Sequence, residues 1–113
     1  MAITNEQVTE QEFLREMSED PYFPDHLVAK GRAILVRLCE RIEAERPADL
    51  PALYVLSHAA AEEFNRLDTE LKAAGSEIET AAREDIAEAF WIIASAYGFE
   101  DADVEEMVEP REW

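Results

Sequence analysis

Apolar side chains recur every three or four residues over most of this chain, which is the spacing of an amphipathic α-helix. Three long segments have it, at residues 26–46, 50–74 and 77–97. Two shorter segments with the same spacing lie outside them, at residues 10–17 and 102–109. The pattern predicts an all-α fold, a compact antiparallel helical bundle of three long helices with short N- and C-terminal helices.

Residues that cap or break helices separate these segments. Thr9 with Glu12, and Ser76 with Glu79, have the spacing of capping boxes, in which each side chain binds a free amide of the first turn. Single aspartates that precede a helical segment are predicted N-caps: Asp25, Asp49 and Asp101. Glycines and prolines that follow a segment are predicted stops: Pro47, Gly75, Gly98 and Pro110.

Length and composition are those of one folded domain, residues 1–113. The chain has 113 residues, of which 48% are hydrophobic, so it can form a core despite its charge. Its 27 acidic and 10 basic side chains give a net charge of −17. Nucleic acids and anionic membranes repel such a surface, so we expect neither direct nucleic-acid binding nor membrane binding.

The acidic residues are distributed unevenly. Residues 76–113 hold twelve acidic and two basic side chains, a net charge of −10, whereas residues 25–46 carry +1. Lys30, Arg37 and Arg41 form a stripe beside the apolar side of the helix predicted at 26–46. No glycine-rich loop opens that helix to bind phosphate, so we expect the stripe to pair with carboxylates of neighbouring helices.

The acidic C-terminal third contains the residues that we predict to bind a partner. Three glutamates follow the side of the helix 77–97 that faces away from the core, and Trp91 continues their line. Tryptophan beside carboxylates is typical of a protein interface, although the run 89–94 is apolar on all sides, as in a buried helix. The predicted partner-binding residues are Glu77, Glu84, Glu88, Trp91, Asp101, Asp103, Glu105 and Trp113.

One flank of the helix 50–74 carries a candidate site for chemistry. Tyr54, His58 and Glu62 lie there, and the four-residue spacing lets His58 contact Glu62, as in a general base or part of a metal site. A structural polar edge explains the same residues. A di-iron bundle needs Glu-x-x-His on two helices, which the chain lacks, and a calcium loop at 101–112 would need glycine where Glu106 stands. We therefore expect no metal and no cofactor.

Cys39 is the single cysteine, so the chain can form no internal disulfide. Cys39 lies in the second half of its helix, where the helix dipole disfavours a thiolate, and we expect a small core residue. The sequence shows neither a signal-peptide pattern nor an apolar run of membrane-spanning length. These features predict the cytoplasm.

Four segments resemble a family of short bacterial proteins of unknown function. They are residues 19–31, 53–60, 76–84 and 109–113, and the similarity extends from about residue 13 to the C-terminal end. The family carries no established activity, so the resemblance implies no functional residues. It draws attention to side chains within the matching segments: Tyr22, Phe23, His58, Glu79, Arg83 and Trp113.

The sequence favours a small acidic protein-interaction module over an enzyme. Its concrete form is an immunity-type inhibitor that binds a basic partner protein. One alternative is a nucleic-acid mimic, in which carboxylates replace phosphates. The other is an enzymatic or metal-dependent site around Tyr54, His58 and Glu62.

Overall fold

The computed structural model describes residues 3–113, and within them it contains six helices and no strand. The helices are α1 Glu6–Thr9, α2 Arg15–Glu19, α3 Asp25–Glu45, α4 Leu50–Ala73, α5 Thr80–Ala96 and α6 Val104–Met107. The prediction of an all-α antiparallel bundle with three long helices is confirmed. None of these helices is both long and apolar enough to cross a membrane.

Helix α3 follows its apolar pattern closely. Leu27, Ile34 and Leu38 are among the residues that it buries, at the spacing that the sequence showed. The N-cap differs from the prediction, because Asp25 is the first helical residue and Pro24 occupies the cap position without a side-chain hydrogen bond. Arg46 ends the helix in the left-handed conformation, with φ of 47°.

Helix α4 begins and ends as predicted. The Asp49 carboxylate accepts a hydrogen bond of 3.0 Å from the amide of Ala52. At the other end, the amide of Ser76 donates to the Leu71 carbonyl at 2.8 Å, and Gly75 has φ of 84°. This is the Schellman arrangement, which requires a residue that tolerates the left-handed conformation.

Helix α5 begins three residues later than predicted, because the capping box of Ser76 and Glu79 does not form. Ser76 completes the end of α4 instead, and the buried carboxylate of Asp68 accepts the amide of Ile78 at 2.9 Å. These bonds hold the chain extended until Thr80. The C-terminal end agrees with the prediction, since Gly98 has φ of 88°.

The N-terminal segment differs most from its prediction. One helix over 10–17 with a Thr9–Glu12 capping box is wrong. Thr9 instead ends α1, whose N-cap is Asn5: its side chain accepts the amides of Gln7 and Val8. The chain then turns at Leu14, whose φ is 59°, before α2 begins. The prediction failed because Asn5 provides an earlier cap and burial of Leu14 fixes the turn.

The last helix is shorter than predicted and begins at Val104 instead of residue 102. Asp103, rather than Asp101, caps α6, because its carboxylate accepts the amide of Glu105 at 2.9 Å. The prediction of a helix over 102–109 is therefore correct only for its centre.

The core lies between α3, α4 and α5, and the two terminal segments complete it. Phe64 of α4 and Phe90 of α5 are fully buried, with ring centroids 6.0 Å apart. The N-terminal segment, residues 3–23, packs on α5 and α3. The C-terminal segment, residues 98–113, packs on α4 and α5 through α6. Two of the three grooves between the long helices are thus covered by the ends of the chain.

Candidate functional site

The outer face of α5 carries three of the predicted partner-binding residues in one stripe. Glu84, Glu88 and Trp91 are spaced four and three residues apart, so they share a side of the helix. Both glutamates are exposed, and Trp91 is 49% exposed. The opposite side of α5 is buried. We call the stripe of Glu84, Glu88 and Trp91 the α5 face.

The N-terminal segment extends the α5 face with further carboxylates. Trp91 lines a shallow cleft together with Glu10 of that segment. Glu88 and Asp85 line a second cleft, which also contains Glu12 and Glu16 together with one cation, Arg15. Sequence reasoning did not include these N-terminal acids, because the contact between the N-terminal segment and α5 joins residues that are distant in the chain, such as Met17 and Asp85, 68 positions apart.

Asp85 has a structural role in the second cleft. Its carboxylate accepts the backbone amide of Met17 at 3.2 Å and holds α2 against α5. Partial burial raises the pKa of this carboxyl above its ordinary value, and the nearby Glu16 adds to the shift.

The C-terminal acids do not join Trp91. The amide of Asp103 donates to the Tyr54 hydroxyl of α4 at 3.0 Å, which places α6 on the α4 side of α5. Glu105 lies 3.7 Å from Arg111 and Asp101 is exposed. Glu77 is half-buried before α5 begins. The structure therefore divides the predicted surface into the α5 face and a separate acidic C-terminal end.

Trp113 cannot serve as a surface anchor, contrary to the prediction. It is only 6% exposed, and its ring meets the Phe64 ring edge-on at a centroid distance of 6.0 Å. The guanidinium of Arg111 lies 5.6 Å from the Trp113 ring centroid. Packing against the core removes this ring from any partner, so Trp91 is the exposed tryptophan of the two.

The polar flank of α4 holds the C-terminal segment instead of forming an open site. Tyr54 Oη accepts the amide of Asp103, and His58 Nε2 lies 2.6 Å from the carbonyl oxygen of Glu106. Because a carbonyl only accepts, Nε2 of His58 donates this bond. The Tyr54 and His58 rings stack at 6.3 Å. Glu62 is exposed and forms no hydrogen bond with His58 in the described structure.

Asn65 continues the same flank one turn further along α4. Its amide nitrogen donates to the Pro110 carbonyl at 3.1 Å, and its oxygen accepts the Glu112 amide at 2.7 Å. Within residues 3–113 no three His, Cys, Asp or Glu side chains are placed to hold a metal ion. The flank thus aligns side chains with the backbone of the C-terminal segment, which is a structural arrangement.

Glu43 anchors the N-terminal segment and was missed by the sequence analysis. Its carboxylate accepts hydrogen bonds from the Tyr97 hydroxyl at 2.5 Å, from the amide and hydroxyl of Thr4 at 2.9 Å each, and from the amide of Asn5 at 3.1 Å. The Tyr97 bond and the Thr4 amide bond are the main causes that lower the Glu43 pKa to about 2. The only sequence signal was its position beside the buried face of α3.

Cys39 and Tyr97 lie behind this carboxylate. Cys39 is fully buried, and burial, with a smaller contribution from Glu43, raises its thiol pKa to about 12. Burial and the bond to Glu43 also raise the pKa of the Tyr97 hydroxyl. Both groups therefore remain protonated, and a nucleophilic role for Cys39 has no support here.

The basic stripe of α3 pairs largely as predicted. Lys30 reaches Glu70 and Arg37 reaches Glu63, both on α4 and both at 2.5 Å. Arg41 departs from the prediction, since it pairs at 2.8 Å with Glu45 of its own helix. By contrast, Glu84 and Glu88 of the α5 face have no ion-pair partner among the residues described.

The fold and these sites define a small all-helical domain with an acidic helix face and a polar flank that holds its own C-terminal segment. The chain belongs to a family of unknown function, DUF5713, whose model matches residues 7–113. The resemblance seen in the sequence is thereby confirmed. No curated protein and no solved structure matched the chain in comparison searches.

Proposed function

We propose that this chain is a small acidic protein-interaction module that binds a basic partner protein through the α5 face. The observation that carries the proposal is the stripe of Glu84, Glu88 and Trp91. Its two carboxylates have no ion-pair partner in the described part of the chain, and its aromatic ring is half exposed. An exposed tryptophan is a common hot-spot residue of protein interfaces, and the uncompensated acids beside it give this face electrostatic complementarity to a cationic surface.

The charge of the whole chain supports this choice of partner. The net charge of −17 creates a negative potential that speeds association with a basic protein and slows it with an acidic one. Glu10 and Glu16 of the N-terminal segment add to this potential on the α5 face. Glu12 adds less, because it lies 4.0 Å from both Arg15 and Arg32.

The concrete form of the proposal is an immunity-type inhibitor that covers a functional surface of its partner. Such a protein needs a rigid, preformed face, because ordering a flexible one on binding costs affinity. The α5 face lies on a 17-residue helix packed on both flanks by the terminal segments, which meets that need. The role fits the bacterial cytoplasm that the sequence predicts.

Affinity capture from the source cells at two salt concentrations tests the proposal. The tagged chain should retain a basic protein at about 50 mM salt and lose most of it near 300 mM, because the screening length shortens with ionic strength. The variant Glu84→Gln/Glu88→Gln/Trp91→Ala should retain little of it at either concentration.

A matched control variant removes side chains of the same types at positions outside the α5 face. Glu45→Gln/Glu62→Gln/Tyr22→Ala deletes two carboxylates and one exposed aromatic ring away from the α5 face, and it should capture the partner as the wild type does. The proposal would be contradicted if both variants failed to capture the partner or if the captured protein were acidic. It would also be contradicted if the amount captured did not depend on salt concentration. Displacement of the partner by DNA would identify the nucleic-acid mimic instead of a general inhibitor.

A further inference from the structure

The groove between α3 and α4 is the one groove of the three-helix body that the terminal segments leave open. Residues of α3 and α4 alone line it, and neither α5 nor any described part of the terminal segments contributes. It consists of two connected depressions, of about 390 and 300 Å³, that share Arg37 and Glu63. We call this surface the α3/α4 face.

The floor of the α3/α4 face is apolar, and small side chains lie beside it. Leu38 and Leu56 form part of the floor, and Ala44 and Ala59 flank it. Val55 stands four residues before Ala59, so it projects from the same side of α4, and it is 65% exposed. The small alanine side chains let another helix pair approach closely, and burial of the exposed valine beside them would be favourable.

The distribution of charge along this face favours a second copy of the chain as its binding partner. The α3 rim is net positive, because it carries Lys30, Arg37 and Arg41 against Glu40 and Glu45. The α4 rim is net negative, because it carries Glu63 and Glu70 against Arg66. A second copy placed with its two-fold axis parallel to the helices sets α3 of one subunit over α4 of the other. The basic rim then lies over the acidic rim twice, which is the self-complementarity that a two-fold interface requires.

The ion pairs across the groove also set the register of such a dimer. Lys30 pairs with Glu70 and Arg37 with Glu63, so each of these pairs lies at one height along the bundle. A two-fold axis parallel to the helices preserves height. In such a dimer Arg37 would lie at the same height as its own Glu63 and the Glu63 of the partner subunit.

We propose that two copies of this chain associate through the α3/α4 face and form a bundle of four long helices at their interface. On a chain with a net charge of −17, this face balances its acidic and basic side chains, so two copies meet there without strong repulsion. The α5 faces then point outward on both sides of the dimer, so the assembly presents two acidic stripes. The inference does not depend on the proposed function.

Sedimentation velocity or light scattering of the purified chain tests the dimer over about a hundredfold range of concentration, because mass action governs its population. The wild type should reach twice the mass of one chain. Ala59→Arg places a bulky cation over the groove, close to Arg41, and should raise the dissociation constant at least about tenfold. A wild type that stays monomeric throughout that range overturns the proposal.

The matched control is Ala81→Arg, the same change at an exposed alanine of α5, which should leave the dimer intact. Thermal melting confirms that both variants fold. A charge exchange supplies an independent measurement: Arg37→Glu should weaken the dimer, and Arg37→Glu/Glu63→Arg should restore it. If Ala59→Arg left the dimer intact, or if Ala81→Arg weakened it as much as Ala59→Arg does, the two copies would not associate through the α3/α4 face.

Discussion

The two terminal segments cover equivalent grooves of the same body but are held there by different chemistry. The N-terminal segment is attached through carboxylates, since Glu43 binds Thr4 and Asn5, and Asp85 binds Met17. The C-terminal segment is attached without carboxylates, through Tyr54, His58 and Asn65 of α4, which bind its backbone.

The attachment of the N-terminal segment should therefore depend on pH, whereas the attachment of the C-terminal segment should depend on core packing. A carboxylate that accepts several hydrogen bonds holds its contacts only while it is ionised. A phenol, an amide and a buried indole hold theirs over a wide pH range. We therefore expect acid to loosen the N-terminal segment first, while loss of core volume should release the C-terminal segment.

The largest expected effect comes from the two tryptophans. Trp113→Ala should lower the free energy of unfolding by about 3–5 kcal/mol, because it empties a buried ring site beside Phe64. Trp91→Ala should lower it by less than about 1 kcal/mol, because half of that ring is already in water. Denaturant unfolding of both variants measures the difference, and similar losses would contradict the burial of Trp113.

The next largest effect on stability is expected where the N-terminal segment closely approaches α3. A Cβ built on Gly31 lies 2.7 Å from Cδ1 of Leu14, so Gly31→Ala forces a shift. Such overpacking costs about 1–3 kcal/mol, against a gain of about 1 kcal/mol from better helix propensity. We expect net destabilisation in denaturant unfolding.

A double-mutant cycle isolates this contact. Leu14→Ala removes the obstructing methyl group, so Gly31→Ala should become neutral or stabilising in that background. Equal losses in both backgrounds would show that Leu14 does not limit the approach.

The third prediction uses the lowered pKa of Glu43. Its value of about 2 in the folded chain lies below the ordinary value near 4.3 for an unfolded glutamate. The ionised group thus contributes stability that is complete above the unfolded pKa and is lost as pH falls towards 2. Glu43→Gln should be less stable than the wild type at pH 7, with the difference shrinking between about pH 4.5 and 2.

Urea unfolding at a series of pH values measures this effect. Glu62→Gln is the control, because that exposed carboxylate anchors neither terminal segment and its removal should leave the curve nearly unchanged. A constant difference between Glu43→Gln and wild type down to pH 2 would exclude the anchoring role.

The smallest effect is expected at His58. His58→Phe keeps the stack on Tyr54 but loses the hydrogen bond to the Glu106 carbonyl, which should cost about 0.5–1.5 kcal/mol. The loss should appear in unfolding and in faster amide exchange of residues 104–108. A variant of unchanged stability would return His58 to the candidates for chemistry.

Patterns within single elements made the long helices predictable. Asp49, Gly75 and Gly98 act within a few residues of their own position, so their roles follow from sequence spacing. Ser76 was misassigned because two competing local motifs, a helix end and a helix start, share that residue. Packing of the preceding helix end decided between them.

Contacts between distant segments were not predictable in the same way. Tyr54 and His58 were correctly placed on one flank, yet their partners are backbone atoms 48 to 49 residues away, which carry no side-chain signal. The burial of Trp113 likewise depends on Phe64, and the anchoring by Glu43 depends on residues 38 to 39 positions earlier.

Cys39 gives the chain an internal reporter of its own opening. The thiolate is the form of cysteine that attacks a thiol reagent, and the raised pKa disfavours this form in the folded state while burial keeps the reagent away. Labelling must therefore wait until α3 separates from the body. The labelling rate records how often the chain opens far enough to expose Cys39, with no cysteine introduced for the purpose, and a partner that stabilises the folded chain would slow it measurably.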